Sequence, residues 1–203
     1  RERNAAWLDI ARRIAHEIKN PLTPIQLSAE YLKSKSKSKE EKSYADTIIK
    51  KVSSIENMVD EFSNFAKLPK PELKKTRLNI LCSDLILFHK RSNKKITFAT
   101  NNLKKNLIVN IDELQLSMAI SNLIQNSIES INEKASNNKR FNGKIDLSIY
   151  VKKNNVCIKI IDNGSGLPKN FPKDKILEPY ITTKKRGTGL GLAIVLKIIQ
   201  EHK

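Results

Sequence analysis

The sequence predicts an α+β protein in which a helical hairpin precedes a two-layer α/β sandwich with a mixed sheet. Apolar residues recur at steps of three and four through the first third of the chain, which is the period of an amphipathic helix. Beyond Pro71 the period changes, and short alternating segments are interleaved with helical ones. Strands interleaved with helices, including at least one hairpin, are typical of a two-layer α/β sandwich.

The first helix is predicted over Trp7–Leu32, with His16 near its centre. His16 lies about 200° around the helix from the apolar seam at about 100° per residue, so we expect its imidazole to face solvent. A histidine without a packing role keeps a neutral, nucleophilic fraction at neutral pH. Because Pro21 and Pro24 remove two helical amide donors, we expect the helix to bend or loosen after His16. The seam comprises Trp7, Ala11, Ile14, Ile18, Leu22, Ile25, Ala29 and Leu32.

The lysine- and serine-rich run Lys33–Lys42 is predicted as the tip of a helical hairpin, because helical periodicity resumes directly after it. Two amphipathic helices cannot close a core alone, so we expect a homodimer in which two hairpins form a four-helix bundle. The pair Pro69 and Pro71 ends the second helix. We therefore divide the chain into a hairpin domain, 1–67, a linker, 68–76, and a second domain, 77–203. The second helix has its seam at Ile48, Val52, Ile55, Val59, Phe62 and Ala66.

The second domain begins with a predicted helix, Leu78–Phe88, and two short strands, Lys95–Thr100 and Leu107–Asn110. Asp112 and Gln115 form a capping box that starts a long helix ending near Lys134. Two further strands, 145–151 and 156–161, alternate apolar and polar residues and form a hairpin that turns at residues 154–155. The buried side of the long helix is predicted to comprise Leu116, Ile120, Leu123, Ile124, Ile128 and Ile131.

The composition and net charge of the chain limit the kinds of ligand that it can bind. The 203 residues carry a net charge of +17 and 39% hydrophobic residues, so the chain folds around a core and attracts polyanions such as nucleotides. The lysines are scattered and few aromatic residues lie between them, which leaves nucleic-acid binding as a minor alternative.

Cys82 and Cys157 have no metal-ligand spacing, which indicates a reducing compartment and buried packing residues. No apolar run reaches the ~20 residues that span a bilayer.

Two polar groups of the second domain indicate chemistry. Asn122 and Asn126 are one helical turn apart, so their carboxamides lie on the same side. A carboxamide oxygen suits Mg²⁺ when phosphates and waters supply the other ligands. Asp162 leaves an apolar strand beside Gly164 and Gly166, where its carboxylate can accept from an amino group on a flat ring. Alone, each pattern also fits an ordinary helix surface or turn.

A glycine-rich segment precedes the last helix, Ala193–Gln200. Glycine amides at a helix N-terminus, with three cations just upstream, form a phosphate cradle. The segment is not a Rossmann fingerprint, because the glycines follow a polar loop, and it lacks the closing Gly-Lys-Ser/Thr of a P-loop.

With these residues in view, the chain resembles the sensor histidine kinases of two-component systems, nearest to the nitrogen-regulation NtrY/NtrB type. Five motifs occur in the family's order across nearly the whole length. They are similar to the H-box at His16–Leu22, the N-box at Asn122–Asn126, the G1 box at Asp162–Gly166, the F-box at Pro179–Lys184 and the G2 box at Gly187–Gly191.

The resemblance implies a role for each site residue. His16 would be the phosphoacceptor, Glu17 its general base, and Asn20 would position water or the acceptor. Asn126 would hold Mg²⁺, while Asn122 would lie near the phosphates and Asp162 would read the adenine amino group. Further nucleotide contacts, beneath a lid from about 167 to 186, would come from Gly164, Gly166, Tyr180, Thr183, Lys184, Gly187, Thr188, Gly189, Leu190 and Gly191.

The resemblance also implies an ATP-binding domain of the GHKL (Bergerat) fold, the cofactors ATP and Mg²⁺, and a response-regulator receiver domain as partner. The enzyme would autophosphorylate, pass the phosphoryl group to an aspartate of the regulator, and act as a phosphatase as well. The chain would be the cytoplasmic portion of a membrane-anchored sensor, with the anchor in upstream segments.

The chain departs from the family pattern at a few positions. Leu177 and Tyr180 stand where F-boxes often carry phenylalanine, and Ser127 and Ser130 replace small alanines of the N-box. The chain stops at Lys203, where the family continues into further strands. Two alternatives stay open: a GHKL-type ATPase, which carries a glutamate in place of Asn122 to activate water, and a non-catalytic dimeric scaffold in which His16 is idle.

Overall fold

The computed structural model describes residues 2–101, 107–138, 140–168, 171–182 and 187–202; for residues 2–12, 61, 64–67 and 173 it describes the backbone alone. The described residues fall into two compact units. One runs to Pro69 and includes residues 187–190, and the other comprises the remainder.

The first unit is a helical hairpin of α1, Glu2–Lys35, and α2, Lys39–Lys67. The predicted hairpin tip is confirmed, although the helices extend into it from both sides and leave only residues 36–38 between them. Ser38 caps α2, because its hydroxyl oxygen accepts from the amide of Glu41 at 3.4 Å. α1 continues as a helix through Pro21 and Pro24, so these prolines do not interrupt the helical segment that carries His16.

The apolar seams divide between two faces. Three residues of α1 at seven-residue spacing, Ala15, Leu22 and Ala29, are buried against α2, whose buried row is Ala45, Val52 and Val59. Ala15 and Ala45 lie outside the predicted seams. Several seam members are instead 39–59% exposed within one chain: Ile14, Ile18, Ile25, Leu32, Ile48 and Ile55. The seams are therefore wider than one packed pair of helices can cover.

The second unit contains helices and strands as follows: β1, Lys74–Arg77; α3, Leu78–Ser92; β2, Ile96–Asn101; β3, Ile108–Ile111; α4, Glu113–Asn137; β4, Gly143–Lys152; β5, Asn155–Asp162; a short 3₁₀ helix, Lys173–Lys175; and α5, Gly191–Glu201. The central sheet has the order β2-β4-β5, with β2 parallel to β4 and β4 antiparallel to β5. The predicted mixed sheet is confirmed. A second sheet pairs β1 with β3 in antiparallel fashion.

Two local predictions differ from the structure. Lys74–Arg77, which we expected to belong to the linker, form β1, because their backbone pairs with β3 while their polar side chains give no periodic signal. The turn between β4 and β5 lies one residue earlier than expected, at residues 153–154, where Lys153 has a φ of 55°. Side-chain alternation marks the strands but not their last paired residue.

The core of this unit lies between α4 and the central sheet. Ile120 and Ile124 of α4 and Leu147 of β4 are almost fully buried, although Leu123, which we expected on the buried side, is only half-buried. Cys82 of α3 is also buried, and burial raises the pKa of its thiol to about 12, consistent with a packing role. In the part of the chain that is described, no helix is long and apolar enough to cross a membrane.

Candidate functional site

His16 lies on the exposed side of α1. The preceding residue, Ala15, is only 5% exposed because it packs toward α2, and one step along a helix turns the next side chain by about 100°. The expected solvent exposure of the imidazole is confirmed. Asn20, one turn further along, is also exposed. Glu17 is exposed and lies 4.0 Å from the guanidinium of Arg13, measured between Oε1 and Nε.

Two ion pairs join α1 to α2 between His16 and the hairpin tip. The Lys19 ammonium donates to the carboxylate of Asp60, three residues along the chain from His16. Towards the hairpin tip, Lys33 Nζ lies 2.7 Å from Asp46 Oδ1, and this hydrogen bond lowers the pKa of Asp46. Both pairs are partly exposed, so each contributes little stability but favours one register of the two helices.

The second unit presents a row of polar side chains along one face of α4. Asn122, Asn126 and Ser130 follow one another at four-residue intervals, and each is half-buried. At ~1.5 Å per residue the row extends over about 12 Å. A polar row of this length beside an apolar core can follow an elongated ligand from one end to the other.

One end of the row lies against the start of α5. A Cβ placed on Gly191, the first residue of α5, would lie 3.5 Å from Asn122 Oδ1. The carboxamide of Asn122 and the first turn of α5 are therefore in contact distance within this unit. The exposed amides and the positive dipole end of a helix favour an anion at such a place.

The other end of the row lies against the loop that follows β5. Asp162 Oδ1 accepts from the amide of Gly164 at 2.9 Å and from the hydroxyl of Ser130 at 3.4 Å. Among the described residues, no hydrogen bond reaches Asp162 Oδ2. The carboxylate is thus held by one oxygen and can accept a hydrogen bond from a ligand with the other.

The loop lies directly on α4. The Ser165 amide donates to the Ser130 carbonyl at 3.0 Å, and the Ser165 hydroxyl donates to Glu133 Oε2 at 2.6 Å. Gly166, with a φ of 70°, adopts a left-handed conformation that favours glycine. These contacts place the loop and the polar row on the same side of the helix.

Asn163 is a residue whose role the sequence analysis missed. Its side-chain oxygen accepts from the Lys144 amide at 2.7 Å, and its side-chain nitrogen donates to the Asn142 carbonyl at 2.9 Å. The Asn163 carbonyl in turn accepts from Lys134 Nζ at 2.8 Å. Asn163 therefore ties the loop to the start of β4 and to α4. An asparagine between an aspartate and a glycine signals a turn, but the distant partners leave no trace in the sequence.

The glycine-rich segment before α5 is described from Gly187 onward. Gly187, Thr188 and Gly189 are half-buried, and Gly189 has a φ of 71°. Leu190 is 1% exposed, and its amide donates to Thr188 Oγ1 at 3.3 Å. The segment leads directly into Gly191.

The remaining predicted contacts lie in the segment from about 167 to 186. Tyr180 is 61% exposed and has a φ of 67°. Thr183 and Lys184 lie outside the described residues. Apart from the 3₁₀ helix Lys173–Lys175, the described part of this segment has no regular secondary structure.

Asn126 is suited to bind a divalent cation whose other ligands come from phosphates and water. Its carboxamide is half-buried in the middle of the row, one turn from Asn122 and on the side where α5 begins. No cluster of three or more His, Cys, Asp or Glu residues occurs among the described residues. A hard cation here would take one neutral protein oxygen and draw its other ligands from phosphates and water, which suits Mg²⁺.

Family models match both units. Residues 6–71 match the His Kinase A (phospho-acceptor) domain, and residues 111–203 match the histidine kinase-, DNA gyrase B- and HSP90-like ATPases. A phosphoacceptor hairpin joined to an ATP-binding domain defines the class of protein. The chain belongs to the sensor histidine kinases.

Individual relatives agree with this assignment. Nitrogen regulation protein NtrY of Azorhizobium caulinodans is 41% identical over 207 residues, which cover 99% of this chain and 26% of that protein. The solved catalytic domain of histidine kinase ThkA is 30% identical, with a TM-score of 0.55, over 64% of this chain and 82% of that structure. ThkA in complex with response regulator protein TrrA is 28% identical, with a TM-score of 0.66, over 100% of this chain and 57% of that chain.

The chain spans 26–33% of the length of the first curated relatives it matches. The predicted GHKL-type ATP-binding fold and its helical hairpin are confirmed by the family models and by these structures.

Proposed function

We propose that this chain is an ATP-dependent protein-histidine kinase that autophosphorylates on His16 and passes the phosphoryl group to an aspartate of a response regulator. One observation carries the proposal: the polar row of α4 has a helix N-terminus at one end and a half-engaged carboxylate at the other. These are the groups that an adenine nucleotide requires. The same chain carries an exposed histidine on a helical hairpin.

The nucleotide lies along α4 with its base toward Asp162 and its phosphates toward Gly191. The second oxygen of Asp162 accepts from the exocyclic amino group of adenine, and the α5 amides donate to phosphate oxygens. Asn126 would hold Mg²⁺, whose charge would offset that of the phosphates, and Asn122 would lie next to them. The half-buried position of both asparagines supports these roles.

Autophosphorylation is a direct transfer of the γ-phosphoryl group. A bond forms between an imidazole nitrogen of His16 and the γ-phosphorus, the bond to the β-phosphate oxygen breaks, and ADP leaves. The ring proton passes to the carboxylate of Glu17, the neighbouring residue on the exposed side of α1. Positioning and charge neutralisation supply most of the catalysis in such transfers.

The hairpin also assists the removal of the phosphoryl group from the regulator, in which water attacks the aspartyl phosphate and inorganic phosphate leaves. Asn20 lies one turn from His16 on the exposed side of α1, where its carboxamide can position a water molecule. The same face carries Leu27 and Tyr31, which are 61% and 62% exposed. They offer apolar contacts to a receiver domain, and the complex of ThkA with the response regulator TrrA supports such a partner.

The hairpin works as a homodimer. The exposed part of the two seams, with Ile18, Ile25 and Ile55 among its members, leaves apolar surface on a hairpin that has already buried its inner rows. A second copy covers this surface in a four-helix bundle. We further place the domain in the cytoplasm, where ATP and receiver domains occur, with membrane attachment through upstream segments.

The chain divides into two functional modules joined by a linker. Residues 1–67 act as the phosphoacceptor module, 68–76 connect it to the next, and 77–203 act as the nucleotide-binding module. The family matches over 6–71 and 111–203 support this division.

Labelling with γ-labelled ATP and Mg²⁺ tests the proposal. We expect an acid-labile, alkali-stable phosphate on the wild-type protein and none on His16→Gln, which still binds ADP with wild-type affinity. Glu30→Gln is the control on the same helix, since Glu30 is exposed 14 residues beyond His16 and its Oε1 accepts from Gln26 Nε2 of α1 at 3.0 Å. Label that persists in His16→Gln would overturn the assignment of the phosphoacceptor.

A further inference from the structure

We propose that Ser130 is a positioning residue for base recognition, because its hydroxyl holds the Asp162 carboxylate so that the other carboxylate oxygen accepts from the adenine amino group. The inference rests on the proposed function, since it concerns how the same site reads its nucleotide.

The Ser130 hydroxyl has a defined polarity. The Gly166 amide donates to Ser130 Oγ at 3.2 Å, which leaves the hydroxyl proton for another acceptor. Asp162 Oδ1 lies at 3.4 Å and Ser165 Oγ at 3.5 Å. Because the carboxylate is charged, it is the stronger acceptor, and the proton of Ser130 is directed to Asp162.

The Ser165 hydroxyl does not compete for Asp162. It donates its single proton to Glu133 Oε2 at 2.6 Å, so toward Ser130 it can act only as an acceptor. Among the described residues, Ser130 of α4 is thus the side chain that donates to the Asp162 carboxylate.

The two donors meet the same oxygen of Asp162. The Gly164 amide at 2.9 Å and the Ser130 hydroxyl at 3.4 Å both bond to Oδ1. A carboxylate held by one backbone amide can rotate and exchange its two oxygens, whereas a second donor on Oδ1 opposes that rotation. Ser130 therefore keeps Oδ2 available for the ligand.

Removal of the hydroxyl should leave the loop in place. The Ser165 amide still donates to the Ser130 carbonyl, and Lys134 Nζ still donates to the Asn163 carbonyl. Alanine is also a better helix former than serine, so Ser130→Ala should fold. The variant isolates the orientation of Asp162 from the anchoring of the loop.

Calorimetric titration with two nucleotides tests the role. ADP carries the amino group, and purine riboside diphosphate lacks it but is otherwise the same. We expect Ser130→Ala to bind ADP about fivefold more weakly than wild type, as for the loss of one hydrogen bond near a charged group, and to bind the analogue with unchanged affinity. Ser117→Ala is the matched control, because its hydroxyl donates to the Glu113 carbonyl of its own helix at 2.6 Å, away from Asp162.

A double-mutant cycle with Asp162→Asn tests whether Ser130 acts through Asp162. If Ser130 acts through Asp162, adding Ser130→Ala to Asp162→Asn should cause no further loss of ADP affinity. Equal losses for both nucleotides, no loss for either, or an additive loss in the double variant would overturn the inference. Failure of the wild-type protein to bind ADP would instead overturn the proposed function on which it rests.

Discussion

Gly164 lies directly against the backbone of Ser130: a Cβ at position 164 would be 2.3 Å from Ser130 Oγ and 2.5 Å from the Ser130 carbonyl carbon. Real Cβ atoms do not approach other heavy atoms this closely, so the loop after β5 rests on α4 only because residue 164 has no side chain. This contact joins the two parts of the site that we propose to recognise the nucleotide base.

We predict that Gly164→Ala abolishes ADP binding, because the loop must move away from α4 and takes Asp162 with it. Calorimetric titration with ADP measures the effect. Gly166→Ala is the matched control: a Cβ there meets no atom within 4 Å, although the φ of 70° makes alanine strained by about 1 kcal/mol. We expect Gly166→Ala to lose far less ADP affinity than Gly164→Ala, because it leaves the contact of the loop with α4 intact. Equal loss of binding in both variants would contradict the packing argument.

We predict that Ile25→Lys converts the proposed homodimer to a monomer. Ile25 is 47% exposed in one chain and lies on the uncovered face of the hairpin, where a lysine would place a charge in the apolar interface. Leu27→Lys is the control, since Leu27 is 61% exposed but lies about 200° around α1, on the side of His16. Sedimentation equilibrium distinguishes the two variants. A dimer that survives Ile25→Lys would place the interface elsewhere.

We predict that Asp112→Ala lowers the free energy of unfolding by about 1 kcal/mol at neutral pH, through loss of the α4 N-cap. The amide of Gln115 donates to the Asp112 carboxylate at 3.0 Å and the amide of Glu72 at 2.9 Å. These bonds lower the pKa of Asp112 in the folded protein, with the Gln115 amide as the main cause. The stabilisation is therefore present above the ordinary aspartate pKa and is lost as the pH falls through the lowered value.

Urea unfolding of wild type and Asp112→Ala at neutral and acid pH measures this difference. The two unfolding curves should converge in acid. Asp112→Asn, which keeps a capping oxygen, should retain most of the stability at neutral pH. A difference that stays constant with pH would show that the carboxylate charge has no part in the cap.

We predict that stability declines as the pH falls below about 6.5, the ordinary pKa of histidine, through the protonation of His89. Burial lowers the pKa of His89 in the folded protein, and its ring packs edge-on against Phe88 with centroids 5.3 Å apart. The unfolded chain then binds more protons than the folded one, so acidification favours unfolding. In His89→Gln the melting temperature should fall less between neutral and mildly acid pH. An unchanged slope would assign the acid sensitivity to other groups.

Local physics explains why much of the fold was predictable. Asp112 and Gln115 are three residues apart, and the structure contains the capping bond between them. The alternation of residues 145–151 predicts β4 because successive side chains of a strand face opposite sides. The prolines after α2 and the charged tip of the hairpin also act over a few residues. Signals of this kind need no knowledge of distant contacts.

Contacts between distant segments explain what was missed. Glu72 and Asp112 are 40 residues apart, and their bond lies beside β1, which has no side-chain pattern of its own. Asn163 and Lys144 are 19 residues apart, so nothing near Asn163 reveals that it anchors the loop. The division of the α1 seam into a buried part with Leu22 and an exposed part with Ile18 likewise depends on where α2 packs.

The order of side chains along the chain was enough to specify the helices, most of the strands and the motifs that mark His16, Asn126 and Asp162. Packing alone decided how those motifs meet, since Ser130 and Asp162 are 32 residues apart and come together only where the loop lies on α4. The reason is physical: a helical period or a cap depends on interactions between residues that are close in the chain. A binding site depends on contacts between surfaces that meet only after the chain has folded.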